Sequence, residues 1–243
     1  MEAYTALAAF YDKLMDDADY DRWAAYLNTL IGRKNARIYE AACGTGNIAC
    51  RLMAFGHQVV ASDSSAKMLS VASQKAREQG CPVTFVRQDM RDFCVGNKVN
   101  SVVCACDGPN YLDTEGLESF AASAFDALTQ GGVLLFDLST RAKLEALDGQ
   151  VYFDDRDDVT CIWHNTYDKA ACSLKMDVTL FAREGSLYAK HSETHLQYAH
   201  EVQSVIKVMQ QAGFAAAEVF ECFSHKTLRE DSQRAQFICR KQT

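Results

Sequence analysis

Ile38-Tyr39-Glu40-Ala41-Ala42-Cys43-Gly44-Thr45-Gly46-Asn47 starts as an apolar strand, passes a carboxylate and two glycines, and runs into a helical pattern. Two glycines let the backbone turn tightly and approach a ligand closely. The free N–H groups at the start of the following helix face that ligand. Gly44-Thr45-Gly46-Asn47-Ile48-Ala49 also fits the dinucleotide pattern G-x-G-x-x-A, a weak signal alone. The next apolar run, His57–Ser62, ends in Asp63. A carboxylate there can accept both hydrogen bonds of a ribose diol, or it can cap the helix that begins at Ser64 or Ser65. A nucleoside-type ligand across the first two strands is the expectation, and at this point the nucleoside is open.

Outward from this loop, short apolar strands alternate with helices. Ile38–Ala42, Gln58–Ser62, Val83–Arg87, Val99–Cys106 and Val133–Leu138 read as strands, and Asn47–Phe55, Ala66–Glu78 and Leu117–Leu128 as helices. Alternating units with nearly all-apolar strands predict a parallel sheet covered on both faces. Before the loop, Leu7, Phe10, Tyr11 and Leu14 share one helical face; Trp23, Leu27, Leu30 and Ile31 mark a second segment, with Gly32 as its stop. After Gly132 the rhythm changes to period two over 150–198. Cys172, Leu174, Met176, Val178 and Leu180 fall on one strand face, and turns are expected at 167–170 and 183–186. This predicts a three-stranded antiparallel insert. Helical spacing returns with Val202, Val205, Ile206 and Met209, followed by strands Ala215–Phe220 and Arg234–Arg240. No helix separates these two, so one of them runs antiparallel to the rest. The expected fold is α/β, a Rossmann-like, seven-stranded, mostly parallel sheet with helices on both faces, its last strand antiparallel, plus a small antiparallel insert. The expected division is a helical cap over 1–35, a nucleotide-binding domain over 36–139 and 200–243, and a β lid over 140–199.

Two features narrow the ligand. Glu40, at the strand tip, suits an ammonium group and would repel a pyrophosphate. Asp89 ends the third strand, where a carboxylate can accept from an exocyclic adenine amine while Met90 packs the ring.

With these in place the sequence resembles the class I S-adenosylmethionine (SAM)-dependent methyltransferases. Residues 40–46 resemble their first motif, with Ala42 where many members have glycine. Asp63-Ser64-Ser65-Ala66-Lys67-Met68-Leu69 resembles the second and Gln88-Asp89-Met90 the third, and Cys106-Asp107-Gly108-Pro109-Asn110-Tyr111-Leu112 lies where the fourth falls. Residues 128–137 resemble the junction into the fifth strand, and Ala212-Gly213-Phe214 the entry to the sixth. The match covers about 36–139 and 200–240. The resemblance implies SAM as cofactor, with Glu40, Ala42, Gly44, Gly46, Asp63, Ser64, Met68, Asp89, Met90 and Asp107 in its site. It also implies N-terminal helices closing over the cofactor, which adds Tyr11 and Tyr20.

The implied reaction moves a methyl group by in-line displacement, which asks the protein for orientation, a water-poor site and a destination for a proton. The absence of G-x-S-x-G and H-E-x-x-H is consistent with that. The insert, entering after the fifth strand, is expected to shape a pocket for a small-molecule acceptor with a nitrogen or oxygen nucleophile; Tyr111, Trp163, His191 and His195 are the candidate acceptor residues. His191, Glu193 and His195 share a strand face, but neighbours there stand about 7 Å apart, too far to share one ion. A polar lid face, or plain exposure, is expected and no metal. Two other readings are a non-catalytic SAM-binding or partner-activating subunit and an NAD(P)-dependent oxidoreductase resting on the glycine pattern alone.

Composition sets outer limits. The 243 residues carry 25 basic and 32 acidic side chains, a net charge of −7, which argues against a chain-wide nucleic-acid surface. No apolar run reaches the ~18 residues of a membrane span, and Met1-Glu2-Ala3-Tyr4 lacks the basic n-region of a signal peptide. The ten cysteines include no C-x-x-C pair and sit in apolar runs or singly, as expected of reduced thiols in a cytoplasmic protein.

Overall fold

In the computed structural model, described over residue 4 and residues 6–242, the apolar strands find cover on both faces of one sheet. Residues 1–3, 5 and 243 lie outside the description, and with them part of the expected 1–35 cap. The chain opens with a 3-10 turn (Leu7–Ala9), α1 (Tyr11–Leu14) and α2 (Tyr20–Ile31). Asp19 caps α2 by accepting from Arg22 N–H, and Gly32 ends it at φ 65°. There follow β1 (Arg37–Glu40), α3 (Asn47–Ala54), β2 (Gln58–Asp63), α4 (Ala66–Glu78), β3 (Thr84–Arg87), β4 (Val99–Cys104), α5 (Thr114–Ala127) and β5 (Leu128–Ser139). Then come α6 (Arg141–Ala146), β6 (Val151–Asp155), β7 (Val159–Asp168), β8 (Ser173–Glu184), β9 (Leu187–Tyr198), α7 (Val202–Gln211), β10 (Ala216–Glu221) and β11 (Arg234–Arg240).

The large sheet has the order β10-β11-β5-β4-β1-β2-β3. Its pairs from β5 to β3 are parallel, while β11 runs antiparallel to both neighbours. The chain leaves β1 toward β2 and β3 on one side, then returns to lay β4 on the other. That reversal opens a crevice beyond the carboxyl ends of β1 and β4, where ligands bind in such sheets. On one face Phe136 stacks on Phe237 (4.7 Å, 5°) and meets the edge of Phe120 (6.0 Å). On the other, Trp23 and Leu27 of α2 and Ile48 and Leu52 of α3 cover Ile38, Val103 and Leu135.

Several boundaries shift for identifiable reasons. The first strand stops at Glu40, not Ala42, because Ala42 sits at φ 52°; the fourth stops at Cys104, not Cys106, because Cys106 and Asp107 sit at φ 61° and 54°. Left-handed backbone at non-glycine residues is uncommon and costs energy, and these three cluster at the crevice. The fifth strand begins at Leu128, five residues early, with a register shift against β4.

The insert is a four-stranded sheet, β6-β7-β8-β9, and not the three-stranded one expected. The additional strand, β6, leaves Val151, Tyr152 and Phe153 largely exposed, so it has no inward-outward alternation to reveal it. The face predicted from period two is present: Leu174, Met176, Val178 and Leu180 are buried, while Cys172 falls in the preceding turn at φ 47°. That face packs on Leu7 and Leu14 of the N-terminal segment and on Leu144 of α6. The ten cysteines are all free thiols, and among the described residues no helix is long and apolar enough to cross a membrane.

Phe136 carries the packing of the central sheet on one face. Phe136→Ala should cost about 3–5 kcal/mol, read as a lower denaturant midpoint with an unchanged slope; a loss under 1 kcal/mol would show that this face tolerates a void.

Candidate active site

The loop after β1 is built by its own backbone. Gly46 N–H donates to Cys43 C=O (2.9 Å), Cys43 N–H to Ser62 C=O (2.8 Å) and Ala41 N–H to Val103 C=O (2.8 Å), tying the loop to β2 and β4. The two glycines do different work. Gly44, at φ 54°, has open space where a Cβ would stand and lines the cavity. Gly46, at φ 75°, would put a Cβ 2.9 Å from the Phe85 ring. Its role is turn and packing, and it does not line the cavity.

Asp63 closes the loop from the β2 side. Its Oδ2 accepts from Gly44 N–H (2.9 Å) and its Oδ1 from Ser65 N–H (2.8 Å). The cap of α4 is Ser65, whose hydroxyl accepts from Met68 N–H (3.2 Å), so Asp63 is not spent on that helix. A carboxylate with two acceptor bonds made has lone pairs left for a ligand. Burial raises its pKa despite the N–H donors.

These strand tips surround a cavity of about 220 Å³. Of the residues singled out in the sequence, Glu40, Ala42, Gly44, Asp63, Ser64, Met68, Met90, Tyr11, Tyr20 and Tyr111 line it. Glu40 is 3% exposed and its Oε2 has no hydrogen-bond partner. Burial first, then the nearby Asp63 charge, push its pKa up to about 8. No basic side chain stands among the described residues of the lining. Sequence reasoning missed Tyr4, Thr45, Asn47, Ser65 and Cys106, which also line the cavity. Thr45 and Asn47 sit inside the quoted loop and could have been read there; Tyr4 carried no signal.

Four tyrosines, Tyr4, Tyr11, Tyr20 and Tyr111, stand around the opening. Tyr4 meets Tyr11 edge-on and Tyr111 at a tilt, both at 5.9 Å. Burial raises the pKa of Tyr4, Tyr11 and Tyr111 well above the usual phenol range and that of Tyr20 to about 12. The segment bearing Tyr4 is held down from both sides: Ser65 Oγ donates to Tyr4 C=O (2.9 Å), and Tyr4, Ala6 and Leu7 N–H donate to the Glu193 carboxylate (2.8, 2.6 and 3.1 Å).

Other expected site residues stand elsewhere. Asp89 does not line the cavity; its carboxylate is held bidentate by Arg91 (3.0 and 2.6 Å). Asp107 accepts from Ser139 Oγ (2.7 Å) and Arg234 (3.1 Å), and Arg234 also pairs with buried Asp137. Asp107 does not line the cavity, though its charge acts on the lining Tyr4, Tyr11 and Tyr111. Trp163 and His191 do not reach the cavity. His195 stands one layer behind it, with Tyr111 Oη and His195 Nδ1 at 3.2 Å. Of the two readings of the His191–His195 face, a polar lid face or plain exposure, the second is corrected: Glu193 and His195 are 3% and 1% exposed, because the N-terminal segment lies across them.

The comparisons with known proteins agree with this geometry. A family model described as a methyltransferase domain matches residues 38–132. The chain is 33% identical over 242 residues, 98% of its length and 97% of the relative's, to YqeM of Bacillus subtilis (strain 168), a protein classed by name among the methyltransferases. It is 31% identical over 136 residues, 53% of this chain and 51% of the relative, to a glycine/sarcosine N-methyltransferase of Halorhodospira halochloris. A crystal structure of an S-adenosylmethionine-dependent methyltransferase from Clostridium acetobutylicum superposes over 100% of both chains at 26% identity with a TM-score of 0.86. The buried, unpartnered Glu40 carboxyl and the absence of a basic lining residue fit a ligand that carries positive charge, as SAM does. With its Rossmann-like sheet, its cavity at the reversal of strand order and this full-length similarity, the chain belongs to the SAM-dependent methyltransferases.

Proposed function

We propose that the protein transfers the methyl group to an amine nitrogen of a small molecule that bears no anionic group. The observation that carries this is the charge of the cavity: two carboxylates, Glu40 and Asp63, and no basic side chain among the described lining residues. A carboxylate or phosphate on the acceptor would find no basic side chain among the described lining residues to pair with. A neutral amine meets tyrosine hydroxyls instead.

SAM, when bound, supplies a methyl group on a sulfonium, which is already an excellent leaving group. The residues here bind and orient. Asp63 would hold the ribose hydroxyls with the lone pairs that Gly44 and Ser65 leave free, Glu40 would take the ammonium of the amino-acid part, and Met68 and Met90 would pack beside the base. The tyrosines exclude water and limit the acceptor's approach. The 140–199 segment belongs to the acceptor side, since Tyr111 joins the cavity to β9 through His195.

Two measurements bear on this reading. Calorimetric titration with SAM should show at least tenfold weaker binding for Asp63→Ala, the size expected for losing hydrogen bonds to a charged acceptor at about 1.5–3 kcal/mol each. Glu40 adds a pH dependence. Its pKa stands at about 8 in the free protein, and a bound ammonium lowers it, so binding expels a proton. SAM affinity should therefore rise up to tenfold per unit between pH 5.5 and 7, below the range where an α-amino group deprotonates. Glu40→Gln should bind more weakly and without that slope; an equally steep slope in this variant would remove Glu40 from the ammonium site.

The acceptor class is read by tritiated-methyl transfer from SAM to separate pools of amines without acidic groups, amino acids, alcohols, tRNA and protein. Label is expected in the first pool. Label confined to amino acids or to tRNA would reject the charge argument, and tight SAM binding with no label anywhere would favour a non-catalytic role.

A further inference from the structure

We propose that the proton released by the acceptor leaves the cavity through the Tyr111 hydroxyl to Nδ1 of His195, with the Glu193 carboxylate beside the imidazole. This rests on the amine reading above and names the route that reading leaves open. Tyr111 lines the cavity, and its hydroxyl is shared between the Tyr4 hydroxyl at 2.6 Å and His195 Nδ1 at 3.2 Å. On the far side of the ring, His195 Nε2 faces Glu193 Oε2 at 3.4 Å. The two side chains are 0% and 1% exposed.

Three physical points favour a relay over a purely structural cluster. Nε2 makes no hydrogen bond, but the Glu193 charge 3.4 Å from it favours the neutral tautomer with its hydrogen on Nε2, which leaves the Nδ1 lone pair toward Tyr111. The tyrosines cannot serve as the base themselves, because burial holds them as phenols; a phenol can accept a proton from one side while giving its own to the other. The ring is also shut off from water, its side chain 0% exposed, so a proton on Nδ1 is not passed directly to solvent. The groups around the ring are few: Tyr4 meets it edge-on at 4.7 Å, Trp163 of β7 stacks at 6.2 Å, and Met176 of β8 pairs with it in register. The titratable ones are Tyr4, Tyr111 and Glu193, with Asp107 acting on Tyr111 from beyond.

The step balances. The acceptor nitrogen bonds to the methyl carbon as the sulfur–methyl bond breaks, and the electron pair of that bond stays on sulfur, which becomes a neutral thioether. The nitrogen, now cationic, gives its proton to the Tyr111 oxygen while the Tyr111 proton passes to Nδ1. The positive charge ends on the His195 imidazolium beside the Glu193 carboxylate. Tyr111 is thus the group that touches the acceptor, and His195 and Glu193 act through it.

The test has two arms on the full chain. In the first, ¹⁵N-histidine NMR at pH 8, with the His195 signals assigned by their loss in His195→Asn, should show the neutral Nε2–H tautomer and a displaced Nδ1 shift in Tyr111→Phe. An Nδ1–H tautomer overturns the proposal. In the second, label transfer from SAM to the amine pool is compared between wild type, His195→Asn and Tyr111→Phe. Asparagine offers Tyr111 an acceptor oxygen near the place of Nδ1 but cannot take the proton. The rate at pH 8 should fall about 100-fold in His195→Asn, with the SAM Kd within threefold of wild type. A His195→Asn rate within threefold of wild type shows that His195 only holds Tyr111 in place and overturns the relay. Should the wild type label no amine, the amine reading fails on that arm, and the tautomer in the first arm decides for or against the Tyr111–His195 link.

Discussion

Glu40 and Asp63 end adjacent parallel strands, and the chain places no basic side chain among the described residues around the space between them. A buried carboxylate beside a half-buried one, without a counter-charge, is costly, and both show it in raised pKa values. The surrounding backbone is organised to keep them there. Gly44 and Ser65 N–H fix Asp63, the β1 loop is tied to β2 and β4, and left-handed Ala42, Cys106 and Asp107 ring the strand tips. Apolar packing on both faces of the sheet sustains this strain and desolvation.

The closing of the cavity depends on the second sheet. The segment around Tyr4–Ala9 lies between the two sheets, held by Ser65 on one and by Glu193 on the other, with Leu7 packed on Val178 and Leu180. The exposed pairs between this region and the insert, Lys13–Asp158 and Arg156–Asp16, add little because water screens them. Apolar burial and three N–H donors to one buried carboxylate do the holding. The acceptor side and the cofactor side therefore meet through the N-terminal segment and through the Tyr111–His195 contact.

How much of this could be read from sequence follows from the range of the interactions. The glycine loop, Asp63 and the bounds of α4 and β11 were legible, because turn chemistry and helical or strand periodicity are local. Glu40 was legible as a lone carboxylate where charge is unexpected. Asp107 was placed with the cofactor by motif position and Asp89 by its place at the end of the third strand; their carboxylates go to Arg234 and Arg91. For Asp107 the partner lies in the last strand, and no spacing rule connects them. β6 escaped because its side chains face water on both sides. Glu193 and His195 read as an exposed polar face since period two reports which residues share a face, not what lies on it; the covering segment is short and irregular, with Tyr4 at its tip.

The most direct measurement is a crystal structure of the complex with S-adenosylhomocysteine, which keeps the ribose and the amino-acid part of the cofactor. Both ribose hydroxyls should stand within hydrogen-bond distance of the Asp63 carboxylate, and the ammonium should donate to Glu40 Oε2. A ligand whose ammonium points away, leaving Glu40 Oε2 unpartnered and the ribose off Asp63, would contradict the assignment of this carboxylate pair as the cofactor's anchor.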